Sequence, residues 1–589
     1  MMSRVKANCL GFSLVIVFCP VFIFQAHAQT PSPSPAHPGR SYDSGPVGRK
    51  PPAPAPQFPS PITFTDITTQ TGINFKHAAS PTSQKYLPET MGGGVALFDY
   101  DNDGRLDIYF TNGALLKDPM TANAQPDKTD PRFWNRLYHQ KIDGTFEDVT
   151  EHAGVRGVGY SMGVAAGDFD NDGYVDLYVT YYGGGTLYRN KGDGTFEDVT
   201  KKTNANPGGW ATSVGWFDYD RDGRLDLFVL RYMDWDFVRG SLACGATVRA
   251  YCHPDNFKGV APALLHQKED GTFEDVSMKA GIADPTGKGL GIAFADFDND
   301  GLTDIFVAND SVRQFLFHNR GDGTFEDVAL LSGAGYDDNG KTFAGMGVDA
   351  ADYDNDGFPD VFITTLSNET YPLFHNSGDL TFTSRTSVSG IGLITLLNTG
   401  WGTRFVDFDN DGWRDLFVAQ GHVLDTIESS TSYLNYKQTP ILMRNTGKGF
   451  VNVSNSAGLT MSLAARGAAF GDLDNDGDVD VVIAQTNGAP VILRNNGSKN
   501  NWLGISLSGL KSNRQGLGTR VVVTDSTGAK QIFDVSTASS YLSSNDPRIV
   551  VGLGTKTAQS IQVKWPSGVV QTVTSPAVDR YMTIKEYSK

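Results

Sequence analysis

An acidic motif of the form Asp-x-Asp-x-Asp-Gly-x-x-Asp occurs seven times between residues 99 and 480. Its carboxylates fall at positions 1, 3, 5 and 9, and the glycine at position 6 permits a sharp turn. The first three copies supply Asp99, Asp101, Asp103 and Asp107; Asp168, Asp170, Asp172 and Asp176; Asp218, Asp220, Asp222 and Asp226. The fourth and fifth supply Asp296, Asp298, Asp300 and Asp304; Asp352, Asp354, Asp356 and Asp360. The last two supply Asp407, Asp409, Asp411 and Asp415; Asp472, Asp474, Asp476 and Asp480. Carboxylates at alternate positions of a tight loop suit a hard cation, because calcium takes several oxygen ligands in flexible geometry. Position 7 would add a backbone carbonyl, from Arg105, Tyr174, Arg224, Leu302, Phe358, Trp413 and Asp478 in turn, with the side chain there immaterial. An EF-hand is excluded: the first copy has Phe110 where that loop needs a glutamate, and strands rather than helices flank it. Carboxylates crowded in this way repel one another without cations, so about seven structural calcium ions are expected, one per loop.

The elements that hold these loops are strands. Each loop follows a small-residue apolar run such as Gly93-Gly-Val-Ala-Leu-Phe98 and precedes another such as Leu227-Phe-Val-Leu230. A second motif comes later in each repeat, as in Leu187-Tyr-Arg-Asn-Lys-Gly-Asp-Gly-Thr-Phe-Glu-Asp-Val-Thr200. Its Asp-Gly between apolar runs is a hairpin signal. Four short strands per repeat, at a spacing of 50 to 78 residues, make one propeller blade. The seventh repeat lacks its fourth strand, and an orphan copy, Phe64-Thr-Asp-Ile-Thr68, stands before the first loop. That segment is expected to complete the last blade and close a seven-bladed β-propeller over residues 63–498. Residues 499–589 hold short strands punctuated by Gly and Pro, such as Arg520-Val-Val-Val-Thr524 and Ile561-Gln-Val-Lys-Trp565. They predict a small C-terminal β-sandwich, so the chain is all-β.

The N-terminus carries Arg4 and Lys6, an apolar stretch and Ala26-His27-Ala28, the pattern of a cleaved signal peptide over residues 1–28. An uncleaved anchor is the alternative. The protein is expected to be secreted, periplasmic or at the cell surface. Residues 29–62 are rich in Pro, Ser and Ala and predict a linker without a core. The net charge is −17, and loss of Arg4 and Lys6 takes it to −19. That argues against nucleic acid; seven divalent ions would leave about −5. No later apolar run reaches the length of a membrane span, and a monomer is expected. Export leaves Cys244 and Cys252, eight positions apart, which suggest a disulfide staple; a metal site with His253 or two free thiols are the alternatives.

The loops and their flanks resemble the FG-GAP/VCBS repeats of integrin α-chain propellers. The opening Pro88-Glu-Thr-Met-Gly-Gly-Gly-Val-Ala-Leu-Phe98 resembles bacterial members of the cartilage acidic protein family. Asn513-Arg-Gln-Gly-Leu-Gly518, Tyr541-Leu-Ser-Ser544, Asp546-Pro-Arg548 and Trp565-Pro-Ser-Gly568 are similar to the ASPIC/UnbV domain. Together the resemblances cover about residues 63–575. By analogy they imply adhesion.

Strand order places the Asp loops on one face and the longest insertions, 111–136, 231–263 and 421–440, on the other. Long loops at one end of a rigid scaffold are where ligands usually bind. Tyr182, Arg231, Tyr232, Asn309, Asp310, Trp401 and His422 are therefore expected around a funnel on that face. The mixture suits a glycan or a surface protein. The alternative is a propeller enzyme, such as a polysaccharide lyase or a dehydratase, with its site in the central funnel and His422, Arg231 and Asp310 as catalytic groups. A role in a biosynthetic pathway is a third possibility. No nucleophile elbow, zinc-protease motif or phosphate-binding loop is present.

Overall fold

The computed structural model describes Tyr42 and residues 53–121, 124–245 and 248–588. The expected signal segment and most of the expected linker lie outside the described residues. Seven antiparallel sheets form a β-propeller. Their inner strands are Val95–Phe98, Ser161–Gly167, Ala211–Phe217, Gly289–Ala295, Val348–Ala351, Gly400–Val406 and Ala465–Gly471. The next strand of every blade starts on the position-9 aspartate of its loop, as in Asp107–Phe110 and Asp480–Gln485. The fourth strand of blade seven is Phe64–Asp66, with Phe64 opposite Asn495 and Asp66 opposite Leu493. Pairing the chain ends in one sheet removes the two edges that an open stack would expose.

Small residues crowd the inner strands because neighbouring blades nearly touch at the axis. A Cβ on Gly347 would lie 1.9 Å from the Trp401 carbonyl oxygen of the next blade. The Thr180 hydroxyl closes the same approach between blades two and three: it accepts from Gly163 N at 2.8 Å and donates to the Thr212 carbonyl at 2.5 Å. Further out, a side-chain amide on each third strand reaches back to the previous blade. Asn190 donates to the Tyr100 carbonyl at 2.7 Å, Asn376 to Phe297 at 2.7 Å and Asn495 to Phe408 at 2.9 Å. Gln140 closes the ring by donating to the Leu473 carbonyl at 3.0 Å.

The C-terminal part is a two-sheet β-sandwich. One sheet orders Ile549–Gly554, Asn501–Ser508 and Tyr581–Lys585; the other orders Lys530–Asp534, Arg520–Asp525, Ala558–Lys564 and Val570–Thr574. Leu503, Val521, Ile561 and Trp565 form its core, which runs on into Phe169 and Trp216 of the propeller. The two parts belong to one compact unit.

The sandwich lies on the Asp-loop face and sends a hairpin down the propeller axis. Ala538–Ser539 pairs with Ser543–Ser544, and Ser544 joins the inner strand of blade one beside Ala96. Between them, Ser540 donates its N–H to the Val348 carbonyl at 2.7 Å and its hydroxyl to the Ala468 carbonyl at 2.7 Å. Leu542 N donates to Ser213 Oγ at 3.1 Å, and Ala166 N to Ser544 Oγ at 3.1 Å. Tyr541 at the tip is fully buried, donates to the Met91 carbonyl at 2.9 Å and packs 4.8 Å from Trp401. Inner strands of a propeller have unpaired backbone groups facing the axis, and this hairpin satisfies several of them, among them Val164 N, Thr403 N and the carbonyls of Val348 and Ala468.

The last residues of the expected linker also have fixed places. Phe58 N donates to the Asn452 carbonyl at 2.8 Å on the outer strand of blade six, and Ile62 is buried in the core of blades six and seven.

Candidate metal centres and the opposite loop face

The seven Asp loops share one backbone design, with Arg221 of blade three the exception at position 4. In the first, Asp99 accepts from Asp103 N at 3.1 Å and from Gly104 N at 2.8 Å, and Asp103 accepts from Arg105 N at 3.0 Å. Asp107 accepts from Tyr100 N at 3.0 Å and, across the blade, from Gln140 N at 2.8 Å. These backbone donors turn the carboxylates inward: ligating oxygens of Asp99, Asp101 and Asp103 lie within 4.8 Å of one another. Position 4 takes a left-handed conformation, φ 61° at Asn102 and 59° at Asn475, which asparagine tolerates well. Its amide then reaches the next loop, as where Asn102 donates to the Gly173 carbonyl at 2.8 Å and Asn475 to Gly104 at 3.2 Å.

Burial pushes these acids up. It takes the carboxyls of Asp107, Asp352 and Asp472 to about 6, and those of Asp168, Asp218, Asp226, Asp296 and Asp360 to about 7. Asp296 is buried, and its Oδ1 has no hydrogen-bond partner; Oδ1 of Asp101 and of Asp354 are in the same state. Unpaired, desolvated carboxylate oxygens call for positive charge. An all-oxygen donor set of this kind fits calcium.

Basic side chains at these loops are the residues that motif reading missed. His139, His266, His318 and His375 occupy one position on the third strands of blades one, three, four and five. Each sets Nδ1 3.0–3.2 Å from its position-9 aspartate, and that hydrogen bond is the main influence raising its pKa. In blade six the equivalent Arg444 pairs with Asp409 at 2.9 Å and Asp411 at 2.7 Å; Arg189 does the same for Asp170 and Asp172 in blade two. The position-7 side chain is not immaterial either. Arg105 folds back onto Asp103, and Arg224 onto Asp222, because both guanidinium groups are anchored on the carbonyls of Gln140 and Gln267. The signal for the first group lay in the second motif, where the residue before its Asn or Gln is always His or Arg.

The opposite face differs from the expected open funnel. The hairpin 538–544 fills the axis, and the long insertions pack over its tip in one apolar cluster that includes Tyr86, Trp210, Trp235, Phe237, Leu424 and Tyr541. Trp401, Tyr232, Asn309, Asp310 and His422 are consequently buried. Trp401 donates to the Gly421 carbonyl at 2.6 Å, and the buried Arg466 guanidinium stacks 4.2 Å from its ring. Tyr232 donates to Asp310 at 2.5 Å, and the Asn309 amide donates to the Arg313 carbonyl at 2.9 Å. His422 Nδ1 accepts from Leu424 N at 3.0 Å, and burial lowers its pKa to about 4, so the ring is neutral. No hydrogen bond joins it to Asp310. Arg231 is half-buried and donates to the Ala261 carbonyl at 2.8 Å; Tyr182 is half-buried beside Trp235 and Phe237. The three groups of the catalytic alternative therefore have separate structural partners. Cys244 and Cys252 form a disulfide within the insertion 231–263. The same insertion exposes Val238, Leu242 and Val248.

With this geometry in view, comparison with known proteins defines the class. Residues 509–589 match the ASPIC and UnbV family, and the FG-GAP-like repeat matches at 122–179, 168–229, 259–307, 296–363 and 352–418. The chain is an FG-GAP-like repeat propeller that carries an ASPIC/UnbV domain. It is homologous to cartilage acidic protein 1. It is 28% identical to the Homo sapiens protein over 303 residues, covering 50% of this chain and 43% of that one. It is 27% identical to the Mus musculus protein over 324 residues, covering 53% and 47%. The match thus spans less than half the length of these relatives. Among solved structures, the BP39L lectin from Burkholderia pseudomallei aligns at 11% identity and TM-score 0.38, covering 68% of this chain and 95% of that one. An Agrocybe aegerita lectin that recognises terminal N-acetylglucosamine aligns at 18% identity and TM-score 0.35, covering 61% and 79%. At such scores the likenesses say nothing about this chain's ligand.

Proposed function

We propose that this chain is an exported, calcium-loaded propeller that acts as a binding or adhesion module for a glycan or a cell-surface partner. The observation that carries the reading is the division of labour between its faces. One face is a ring of seven acidic loops clamped under the sandwich. The other bears the long insertions, one of them stapled by a disulfide and exposing Val238, Leu242 and Val248 at 57%, 41% and 48%. Calcium would be held by the carboxylates at positions 1, 3, 5 and 9 of each loop, where it would offset their mutual repulsion and stiffen the ring. The contact surface would then be the insertion face, with the tip of 231–263 as its apolar centre. Chemistry in a central funnel is disfavoured, because residues 538–544 occupy the axis.

The test uses the purified chain on immobilised polysaccharides and cell-surface proteins, in millimolar calcium and in chelator. Calcium-dependent retention, lost on Leu242→Asp with Val248→Asp, is expected. Release of new polysaccharide ends, or retention that ignores both the calcium and the double substitution, would overturn the reading.

A further inference from the structure

One residue from the Pro-rich stretch ahead of the propeller sits on the insertion face. Tyr42 is half-buried against the apolar cluster over the hairpin tip, in the same compact unit as the propeller. Its ring lies 4.9 Å from that of His253. Its hydroxyl is hydrogen-bonded to the hydroxyl of Tyr232. Tyr232 gives its only proton to Asp310, at 2.5 Å, so Tyr42 is the donor in that bond. A phenol O–H is thus relayed through Tyr232 to a buried carboxylate. Desolvation, and after it the charge of Asp310, hold the Tyr42 pKa well above the ordinary tyrosine value, which keeps that proton in place.

The walls of this socket have partners of their own. Tyr232 N donates to the Trp210 carbonyl at 2.9 Å, and the two rings pack edge to face at 5.1 Å. Asp310 N donates to the Lys288 carbonyl at 2.9 Å, and its carboxylate also accepts from Ser311 Oγ at 2.8 Å. His253 follows directly on the disulfide, and its Nδ1 accepts from Asp255 N at 3.2 Å. Walls held in this way need little ordering when an occupant changes. Tyr42 enters from a stretch too rich in Pro, Ser and Ala to build a core of its own.

We propose that this socket recognises a tyrosine side chain on a partner polypeptide, and that Tyr42 is its intramolecular occupant, exchanged for the partner's tyrosine on binding. Tyr42 itself arrives on a polypeptide, so the opening admits a backbone. The relay selects tyrosine over phenylalanine, which would leave the buried Tyr232 oxygen without a donor. It rejects a phosphorylated or sulfated tyrosine, whose ester oxygen has no proton to give and whose charge meets Asp310. A tethered occupant competes with any free one, so the socket responds weakly until Tyr42 leaves. Tyrosine recognition rests on the insertion face being the contact surface proposed above, and gives that surface a chemical class of partner.

The test titrates a synthetic peptide that copies residues 38–46 into the full chain in millimolar calcium. Tyr42→Ala is expected to bind it about tenfold or more tightly than the parent, whose socket is filled. The same peptide carrying phenylalanine or phosphotyrosine in place of its tyrosine should bind Tyr42→Ala about tenfold or more weakly. Tyr232→Phe added to Tyr42→Ala removes the acceptor and should level the tyrosine and phenylalanine peptides. Tyr42→Phe, which keeps the ring and frees the relay, should bind the peptide with intermediate affinity. Hydrogen exchange on Tyr42→Ala should show the peptide protecting residues 230–233 and 309–311. The peptide reports on the socket alone, so capture of macromolecules through the 231–263 tip can fail while the peptide binds, and the reverse. No peptide binding to Tyr42→Ala, equal binding to the parent, or a phenylalanine peptide as tight as the tyrosine one would each overturn the proposal. So would 4-methylphenol bound as tightly as the peptide, or self-association of the parent that Tyr42→Ala abolishes, which would make the occupant a free phenol or a second copy.

Discussion

Glu89 shows how far burial alone can bend one residue's chemistry. One of its oxygens accepts from Thr82 Oγ1 at 2.6 Å and Tyr86 N at 3.0 Å, and the other from the Tyr251 hydroxyl at 3.3 Å. Desolvation outweighs those bonds and pushes the carboxyl from 4.5 up to about 7. The folded chain then holds a proton that the unfolded chain releases near 4.5, so this group lowers stability as pH rises from about 4.5 to about 7. Glu89→Gln removes the titration. In saturating calcium it should be more stable than the parent at pH 8, by on the order of 1–3 kcal/mol, with the difference closing by pH 4.5. Denaturant midpoints at several pH values measure this, and a gap independent of pH would refute it. Arg444 supplies the complementary case. Its two ion pairs to Asp409 and Asp411 place positive charge beside the carboxylates that a calcium ion would also neutralise. Arg444→Ala should cost roughly 1–2 kcal/mol in chelator and much less in calcium. Equal losses in the two conditions would show that the guanidinium does not substitute for the ion.

At the scale of the element, blade three departs from the ring. Its loop has Arg221 at position 4, with φ 60°, where the other six loops have asparagine. A long side chain gains nothing from the left-handed region, and Arg221 makes no counterpart of the bond by which Asn171 donates to the Gly223 carbonyl at 3.0 Å. Arg221→Asn should therefore restore a loop-to-loop hydrogen bond, here to the Gly301 carbonyl, and stabilise the chain by about 0.5–1 kcal/mol. A lower melting temperature in the variant would count against this account. The same repeats explain what was legible beforehand. Seven copies of a strand–loop–strand unit, with one outer strand missing at the end and one spare at Phe64, specify a closed ring by strand count alone. The acidic positions were equally plain, because the loop's own backbone aims them. What stayed hidden depends on contacts between distant segments. His139 meets Asp107 only once two strands have paired. Tyr541-Leu-Ser-Ser544 has no periodicity that announces an axial hairpin, and the burial of Trp401 and His422 follows from that hairpin and from insertions packing on each other.

At the scale of the whole molecule, the axial hairpin makes propeller and sandwich interdependent. Ser540 and Leu542 hold φ of 70° and 55°, an unfavourable region for residues with side chains, so the surroundings must enforce the shape of the tip. Those surroundings are the inner strands of all seven blades, while Arg520 and Arg548 tie the sandwich to the loops of blades four and seven through the Asp296 and Asp472 carbonyls at 2.7 and 2.8 Å. Neither part can unfold without exposing the other's buried backbone. Calorimetry should accordingly give one cooperative transition for the full chain, lowered by chelator but not split, since chelation loosens the face on which both parts rest. Tyr541→Ala empties the fully buried space against Trp401 and removes the bond to Met91. It should cost about 3–5 kcal/mol and leave the transition single. Two resolved transitions in the parent, or a Tyr541→Ala loss below about 1 kcal/mol, would mean that the hairpin sits in the channel without holding the molecule together.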